Sequence, residues 1–157
     1  TYDLATHDIS ILYFLFNKKI ILKNIINHNI LGKKNYDISY LNLKTADIKI
    51  DINVSWLNPE KIRKIIVIGS KKMLLLDELN HDKPMKIYNN YVNFPKIHNF
   101  SENIFNQSKY IFKGKSKYIK LQDQKPLDLE IKEFIGNKTN ITNLKFSENI
   151  IRVIKKK

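Results

Sequence analysis

The sequence predicts an α+β fold, in which an open, mainly antiparallel β-sheet carries helices packed on one face. Two observations support this prediction. Apolar residues alternate strictly with polar residues from Ile48 to Trp56, as in a strand with one buried face. The apolar spacing is helical towards both ends of the chain, and short strands with short connections lie between, which favours antiparallel pairing.

The elements are expected in the following order. A helix over residues 4–16 has Asp3 as its expected N-cap. The isoleucine-rich segment 19–31 suits a helix face or a strand, and we favour the strand. Further strands are predicted at 36–43, 48–56, 63–68, 73–76 and 85–88, with a loop over 89–108 and one or two short strands within 109–121. Two helices follow, one over 127–135 that ends at Gly136-Asn137, and a last one marked by apolar residues from Phe146 to Ile154, with Ser147 as its cap.

The composition indicates one globular domain. The chain has 157 residues, of which 43% are hydrophobic, and no glycine- or proline-rich linker divides it. The absence of cysteine excludes disulfides, thiolate metal sites and a cysteine nucleophile, and it fits a cytoplasmic protein. The longest apolar run, Ile11 to Phe16, is too short to span a membrane, and no segment resembles a signal peptide.

The net charge of +13 has two interpretations. One is a surface for nucleic acid or an anionic membrane. The other is compositional drift, a general bias in amino-acid usage that has no functional meaning, because lysine, asparagine, isoleucine and tyrosine are all abundant. Only Arg63 and Arg152 are arginine, although bidentate phosphate recognition favours arginine over lysine. We therefore favour drift, and expect neither nucleic acid nor a membrane as partner.

The candidate catalytic residues are Asp3 and His7. Their spacing of four places both on one face of a helix, where a carboxylate can fix the tautomer of an imidazole and raise its basicity. From the spacing alone, a capping Asp and an incidental His are the favoured alternative. Thr6 and Asp8 lie on the same turn and are candidates for substrate contact, with capping or a surface salt bridge an equal alternative for Asp8.

Other residue patterns do not indicate chemistry. His28, His81 and His98 lack the spacing of a metal site, so no metal is expected. No G-x-S-x-G sequence supports serine hydrolysis. Trp56 is expected in the core or at a subunit interface.

Three blocks, in order and over almost the whole chain, resemble the C-terminal domain of the Gfo/Idh/MocA oxidoreductase family, in its nucleotide-sugar branch. The blocks are Asp3-Leu4-Ala5-Thr6-His7-Asp8-Ile9, then Val54 to Arg63 with Val67 to Leu74, and finally Pro126 to Phe134 with Asn137-Lys138 and the closing helix. The first is similar to the family's D-x-x-x-H segment at the start of an apolar helix.

The resemblance implies that residues 1–157 form one substrate-binding and dimerising domain of a two-domain enzyme. The enzyme would be an NAD(P)-dependent oxidoreductase acting on a hydroxyl of a sugar, polyol or nucleotide sugar. His7 would take the hydroxyl proton as hydride leaves for the nicotinamide, and Asp3 would orient His7 and the substrate. A Rossmann domain, expected upstream of Thr1, would bind NAD or NADP and supply a lysine from a Glu-Lys-Pro motif. The open sheet face would pack against another subunit.

The chain also departs from the family pattern. It has neither G-x-G-x-x-G nor Glu-Lys-Pro, and its only glycines are Gly32, Gly69, Gly114 and Gly136, so we expect no dinucleotide site and no activity in this chain alone. Ser10 stands where the family frequently has a second acid, and Asn143-Leu144 replaces the usual Asp-Gly. The alternative hypothesis is a non-enzymatic, stand-alone assembly or binding module.

Overall fold

The computed structural model describes residues 2–32, 34–89, 91–92, 111–112, 114–121, 126–136 and 144–155. These residues form helices and antiparallel open sheets, so the chain has the predicted α+β fold. Two compact units are present, one of residues 1–59 with 125–157 and the other of residues 60–124. The prediction of a single family-like domain over 1–157 stays a prediction.

The first unit contains a three-stranded antiparallel sheet in the order β1-β2-β3. Its elements are α1 (Tyr2–Phe16), β1 (Ile21–His28), β2 (Ile38–Thr45), β3 (Ile48–Ser55), α2 (Pro126–Ile135) and α3 (Leu144–Lys155). Strands β2 and β3 pair from Thr45 with Ile48, so a turn of only two residues, Ala46 and Asp47, connects them. The strand favoured for residues 19–31 is confirmed as β1.

The core lies between one face of this sheet and the helices α1 and α3. Alternate β2 residues are buried, while Tyr40 and Asn42 between them are exposed. This alternation follows from the two-residue period of a strand, and burial of each large aliphatic side chain contributes about 1.5–3 kcal/mol. The buried apolar residues are Ala5, Ile9, Ile20, Leu41, Leu43, Ile52, Val54, Ile150 and Val153.

The second unit contains a four-stranded antiparallel sheet in the order β4-β5-β6-β9 and a separate pair, β7 with β8. Its strands are β4 (Lys64–Ile68), β5 (Met73–Asp77), β6 (Met85–Tyr88), β7 (Tyr91–Val92), β8 (Ile111–Phe112) and β9 (Ser116–Ile119). None of its residues whose side chains are described is fully buried. The first unit therefore holds the buried core found in the described part of the chain.

Two predicted helix caps are wrong. Helix α1 begins at Tyr2, so Asp3 lies within its first turn, where its negative charge favours the helix dipole. Helix α3 begins at Leu144, so Ser147 lies inside the helix rather than before it. At the other end of α1, Asn17 adopts a left-handed φ of 45°, a common way to end a helix.

Parts of the predicted loop over 89–108, together with His98, Asn137 and Asn143, lie outside the described residues. Within the described part of the chain, no helix combines the length and the apolar character needed to cross a membrane.

Candidate functional site

Helix α1 places Asp3 and His7 on its exposed side. Ala5 and Ile9, on the opposite side, are buried in the core and fix the rotation of the helix. Asp3 and His7 are exposed, and their spacing of four separates them by about 6 Å along the axis, close to one turn. The structure therefore brings the two predicted catalytic side chains onto one solvent-facing surface.

The hydroxyl groups next to this pair bond to the helix backbone. Thr6 Oγ1 donates to the carbonyl oxygen of Asp3 at 2.6 Å, and Ser10 Oγ donates to that of His7 at 2.6 Å. Such bonds to the preceding turn are usual for these residue types in helices. No hydrogen bond or ion pair between the side chains of Asp3 and His7 is found among the described residues. Their proximity therefore comes from helical spacing rather than from mutual contact.

This arrangement permits proton transfer with a molecule lying across the start of α1. An imidazole can act as a general base, and a carboxylate one turn away can orient it or accept a second hydrogen bond from a ligand. Half-buried Asp8 and Thr6 lie on the same turns. The Thr6 hydroxyl proton is used within the helix, so this hydroxyl would meet a ligand as an acceptor.

The glycines of this chain do not form the turn that commonly binds a dinucleotide. The pyrophosphate of NAD requires a glycine-rich turn that leads from a strand into the N-terminus of a helix. Gly32 lies between β1 and β2, Gly69 between β4 and β5, Gly114 between β8 and β9, and Gly136 follows α2. None of these glycines opens a described helix. The part of the chain that the structure describes also holds no group of three or more potential metal-binding His, Asp or Glu side chains.

The remaining predicted residues are placed on the surface. Trp56 follows β3 and is 58% exposed, so a core position is wrong, because the strand ends at Ser55 before it. Its role at a subunit interface stays a prediction. His28 packs edge-on against Tyr40 at 6.0 Å between ring centres, on the face of the sheet away from the core. His81 is exposed in the second unit.

The structure reveals a buried carboxylate that sequence patterns did not indicate. Asp37 Oδ2 accepts hydrogen bonds from the backbone N–H groups of Ile30 and Leu31, at 2.9 and 2.8 Å. Its own N–H donates to the His28 carbonyl, and its carbonyl accepts from the N–H of Trp56. Asp37 thus ties the loop between β1 and β2 to the end of β3, which is a structural role.

A groove of about 600 Å³ lies at the opposite end of α1 from Asp3 and His7. It lies where the end of α1 and the start of β1 meet one side of α3 along most of that helix. Its lining residues are Tyr13, Asn17, Lys18, Lys19, Ile20, Ile21, Leu22, Lys145, Phe146, Asn149, Arg152 and Val153. The spacing of Lys145, Asn149 and Arg152 predicts that they share one face of a helix, which is one side of the groove. The sequence does not show that this face lies against α1 and β1, because that depends on the fold.

The sheet of the second unit has one almost wholly apolar face. Paired residues in antiparallel strands share a face, and every second residue along a strand returns to it. The strand register therefore groups Ile65, Val67, Leu74, Leu76, Met85, Ile87 and Ile119 with a single lysine, Lys117. We call these eight residues the apolar sheet face.

The opposite face of that sheet carries a lysine between aromatic rings. Lys86 Nζ lies 4.6 Å from the ring centre of Tyr88 and 5.2 Å from that of Tyr118, and Lys83 Nζ lies 5.2 Å from the latter. A hydrogen bond with the Tyr88 side chain raises the pKa of Lys86 above its ordinary value. These are exposed cation–π contacts between neighbouring strands, and they indicate sheet stabilisation rather than a site.

Comparison with protein-family models, with curated proteins and with solved structures finds no match for this chain. The family resemblance noted in the sequence therefore stays a prediction.

Proposed function

We propose that this chain is the substrate-binding and oligomerising half of an NAD(P)-dependent oxidoreductase that acts on a hydroxyl of a sugar, polyol or nucleotide sugar. The observation that carries the proposal is the placement of Asp3 and His7. Both lie on the exposed side of a helix whose opposite side is anchored by Ala5 and Ile9, each 0% exposed. A rigid element thus presents the pair to a ligand, as precise chemistry requires.

In the proposed reaction, His7 accepts the proton of the substrate hydroxyl and Asp3 orients the imidazole and the substrate. Thr6 and Asp8, on the neighbouring positions of α1, are proposed to contact the substrate. The NAD or NADP would be bound outside the residues of this chain, because its glycines do not form the required turn. A cytoplasmic location is part of the proposal.

The apolar sheet face supports the oligomerising part of the proposal. Seven of its eight residues are apolar, and none of the eight is fully buried. The exposed face of the first sheet is more polar, with Asn42 Nδ2 donating to Asp51 Oδ1 at 2.7 Å. We therefore place the contact with a second copy of the chain on the apolar sheet face.

A non-enzymatic assembly or binding module is the second candidate function. It is favoured by the exposed apolar residues of helix α2 and by the apolar sheet face, whose apolar residues are half-buried except for the exposed Val67. On α2, Leu127 is 64% exposed and Phe134 is 83% exposed. This candidate needs no role for Asp3 and His7, so substitutions of those residues separate the two.

The test uses the protein expressed from the full reading frame that contains this chain. Purified protein is assayed against a panel of nucleotide sugars and polyols with NAD⁺ or NADP⁺, with the absorbance of the reduced nicotinamide as readout. For a turned-over substrate, His7→Gln should lower kcat about 10²–10⁴-fold, since glutamine cannot accept the proton. His81→Gln, at an exposed histidine of the second unit, is the control and should leave kcat unchanged. Unchanged kcat in the His7→Gln variant would refute the catalytic role.

A further inference from the structure

The groove at the end of α1 is a concentrated patch of positive charge. Its lining includes four cationic side chains and no aspartate or glutamate; these cations are Lys18, Lys19, Lys145 and Arg152. Arg152 pairs with Glu148 at 2.6 Å, whereas no lysine of the groove forms an ion pair with a described residue. The local excess of charge is at least three, which suits an anion carrying more than one negative charge.

The first turn of α3 strengthens this field. Lys145 and Phe146 follow directly on Leu144, where α3 begins, and both line the groove. The positive end of the helix dipole favours anions at such a position. Lys18 and Lys19 follow the end of α1 and offset the negative end of its dipole.

The inner surface of the groove is apolar and partly aromatic. The rings of Tyr13 and Phe146 meet edge to face at 6.1 Å between centres, and Ile20 and Val153 are buried beside them. A volume of about 600 Å³ lies within the usual range for small-molecule sites. A cationic rim over an apolar interior recognises a ligand that has both an anionic group and an apolar body.

We propose that this groove binds a small phosphate monoester with an aromatic or other apolar body, at a site separate from Asp3 and His7. The phosphate lies beside the side chains of Lys145 and Lys18, and the apolar body contacts Tyr13 and Phe146. The positions His7 and Asn17 are ten residues apart on α1 and its cap, about 15 Å along the axis, so one small ligand does not span both. The inference is independent of the proposed oxidoreductase function.

The test is an NMR titration of the ¹⁵N-labelled 157-residue chain with 1-naphthyl phosphate. The largest amide shifts are expected at Asn17, Ile21 and Asn149, which line the groove. Three other ligands are titrated in parallel, and each should bind more weakly than 1-naphthyl phosphate. Inorganic phosphate lacks the apolar body, 1-naphthol lacks the negative charge, and 1-naphthoate lacks the second negative charge. Equal binding of 1-naphthol would overturn the anion site, and equal binding of inorganic phosphate would overturn the apolar contribution.

Substitutions of charged residues in and near the groove test where the phosphate group binds. Lys145→Gln should weaken binding about threefold, and Lys145→Gln with Lys18→Gln about tenfold, in line with exposed charge pairs. Glu148→Gln should tighten binding, because it releases Arg152 from its ion pair. Lys155→Gln makes the same change in net charge on α3 outside the groove and should have no effect. Equal weakening by Lys155→Gln, or shifts spread over lysines of the whole surface, would show binding to net charge only and would overturn the proposal.

Discussion

Two buried hydroxyl groups on β2 differ in their hydrogen bonding. Ser39 Oγ donates to Asn27 Oδ1 at 2.7 Å, whereas Thr45 Oγ1 has no partner among the described residues. A buried polar group without a partner costs about 1–3 kcal/mol. We expect Thr45→Val to raise the free energy of unfolding by about 1 kcal/mol and Ser39→Ala to lower it by about 1 kcal/mol, both measured by urea denaturation. A loss of stability in Thr45→Val would show that its hydroxyl is satisfied.

The buried Asp37 carboxylate is expected to stabilise the loop between β1 and β2. It is 7% exposed and accepts two backbone hydrogen bonds, so its removal leaves two N–H groups without their acceptor. Asp37→Ala should lower the free energy of unfolding by about 1–3 kcal/mol. The control is Glu130→Ala on the exposed side of α2, which should change stability by less than about 0.5 kcal/mol. Similar effects of the two substitutions would contradict the anchoring role of Asp37.

The role of a single residue can be predicted from the sequence only where it depends on residues that are close to it along the chain. The shared face of Asp3 and His7 follows from helical spacing alone, so it could be predicted. The burial of Asp37 depends on how β1, its loop and β3 meet. Trp56 continues the alternating pattern of β3, yet it is exposed because the pattern does not show where pairing ends.

At the scale of elements, the turn between β2 and β3 carries strain. Ala46 has a left-handed φ of 48°, which costs an L-residue with a Cβ atom about 1 kcal/mol or more. Glycine has no such cost, although it increases the conformational entropy of the unfolded chain, which lowers stability. The net effect of Ala46→Gly should be stabilisation by about 0.5–1 kcal/mol. Ala46→Val should destabilise the protein. Thermal denaturation of the unmodified chain and the two variants gives the order of their stabilities. Higher stability of the valine variant would contradict the turn geometry.

The irregular pairing of strand β1 explains why the apolar pattern of residues 19–31 suits a helix as well as a strand. Pairing with β2 shifts between Leu22 and Asn24, and Leu22 and Ile25 both pack against the core. Their spacing of three is the one expected on a helix face, because the irregularity interrupts the two-residue period. By contrast, β3 pairs without interruption, and its alternation predicted a strand directly.

At the scale of the whole molecule, the apolar sheet face predicts self-association. Val67 lies on this face and is 47% exposed, while its neighbour Ile66 is 55% exposed and points to the opposite face. Val67→Lys would place a charge in the proposed contact and should weaken association at least about tenfold, since burial of an unpaired charge is costly. Ile66→Lys, on the same strand, is the matched control and should associate like the unmodified chain. Sedimentation equilibrium measures both, and a monomeric unmodified chain would contradict the prediction.

The fold class and most elements of the molecule could be predicted from periodicity, whereas the division into two compact units could not. The connection from Asn58-Pro59 to β4 is short and has no linker composition, so nothing local marks a boundary. The groove was missed for a related reason. Its lysines precede β1 and begin α3, far apart in sequence, and only the packing of α3 against α1 and β1 brings them together.

The DNA sequence immediately upstream of the Thr1 codon is the most direct test of the proposal that Asp3 and His7 serve an oxidoreductase whose cofactor is bound outside this chain. If the proposal holds, we expect an in-frame extension with a strand, a glycine-rich turn that opens a helix, and a Glu-Lys-Pro sequence. A stop codon or an unrelated frame at that position would contradict it and would leave the assembly module as the function to pursue.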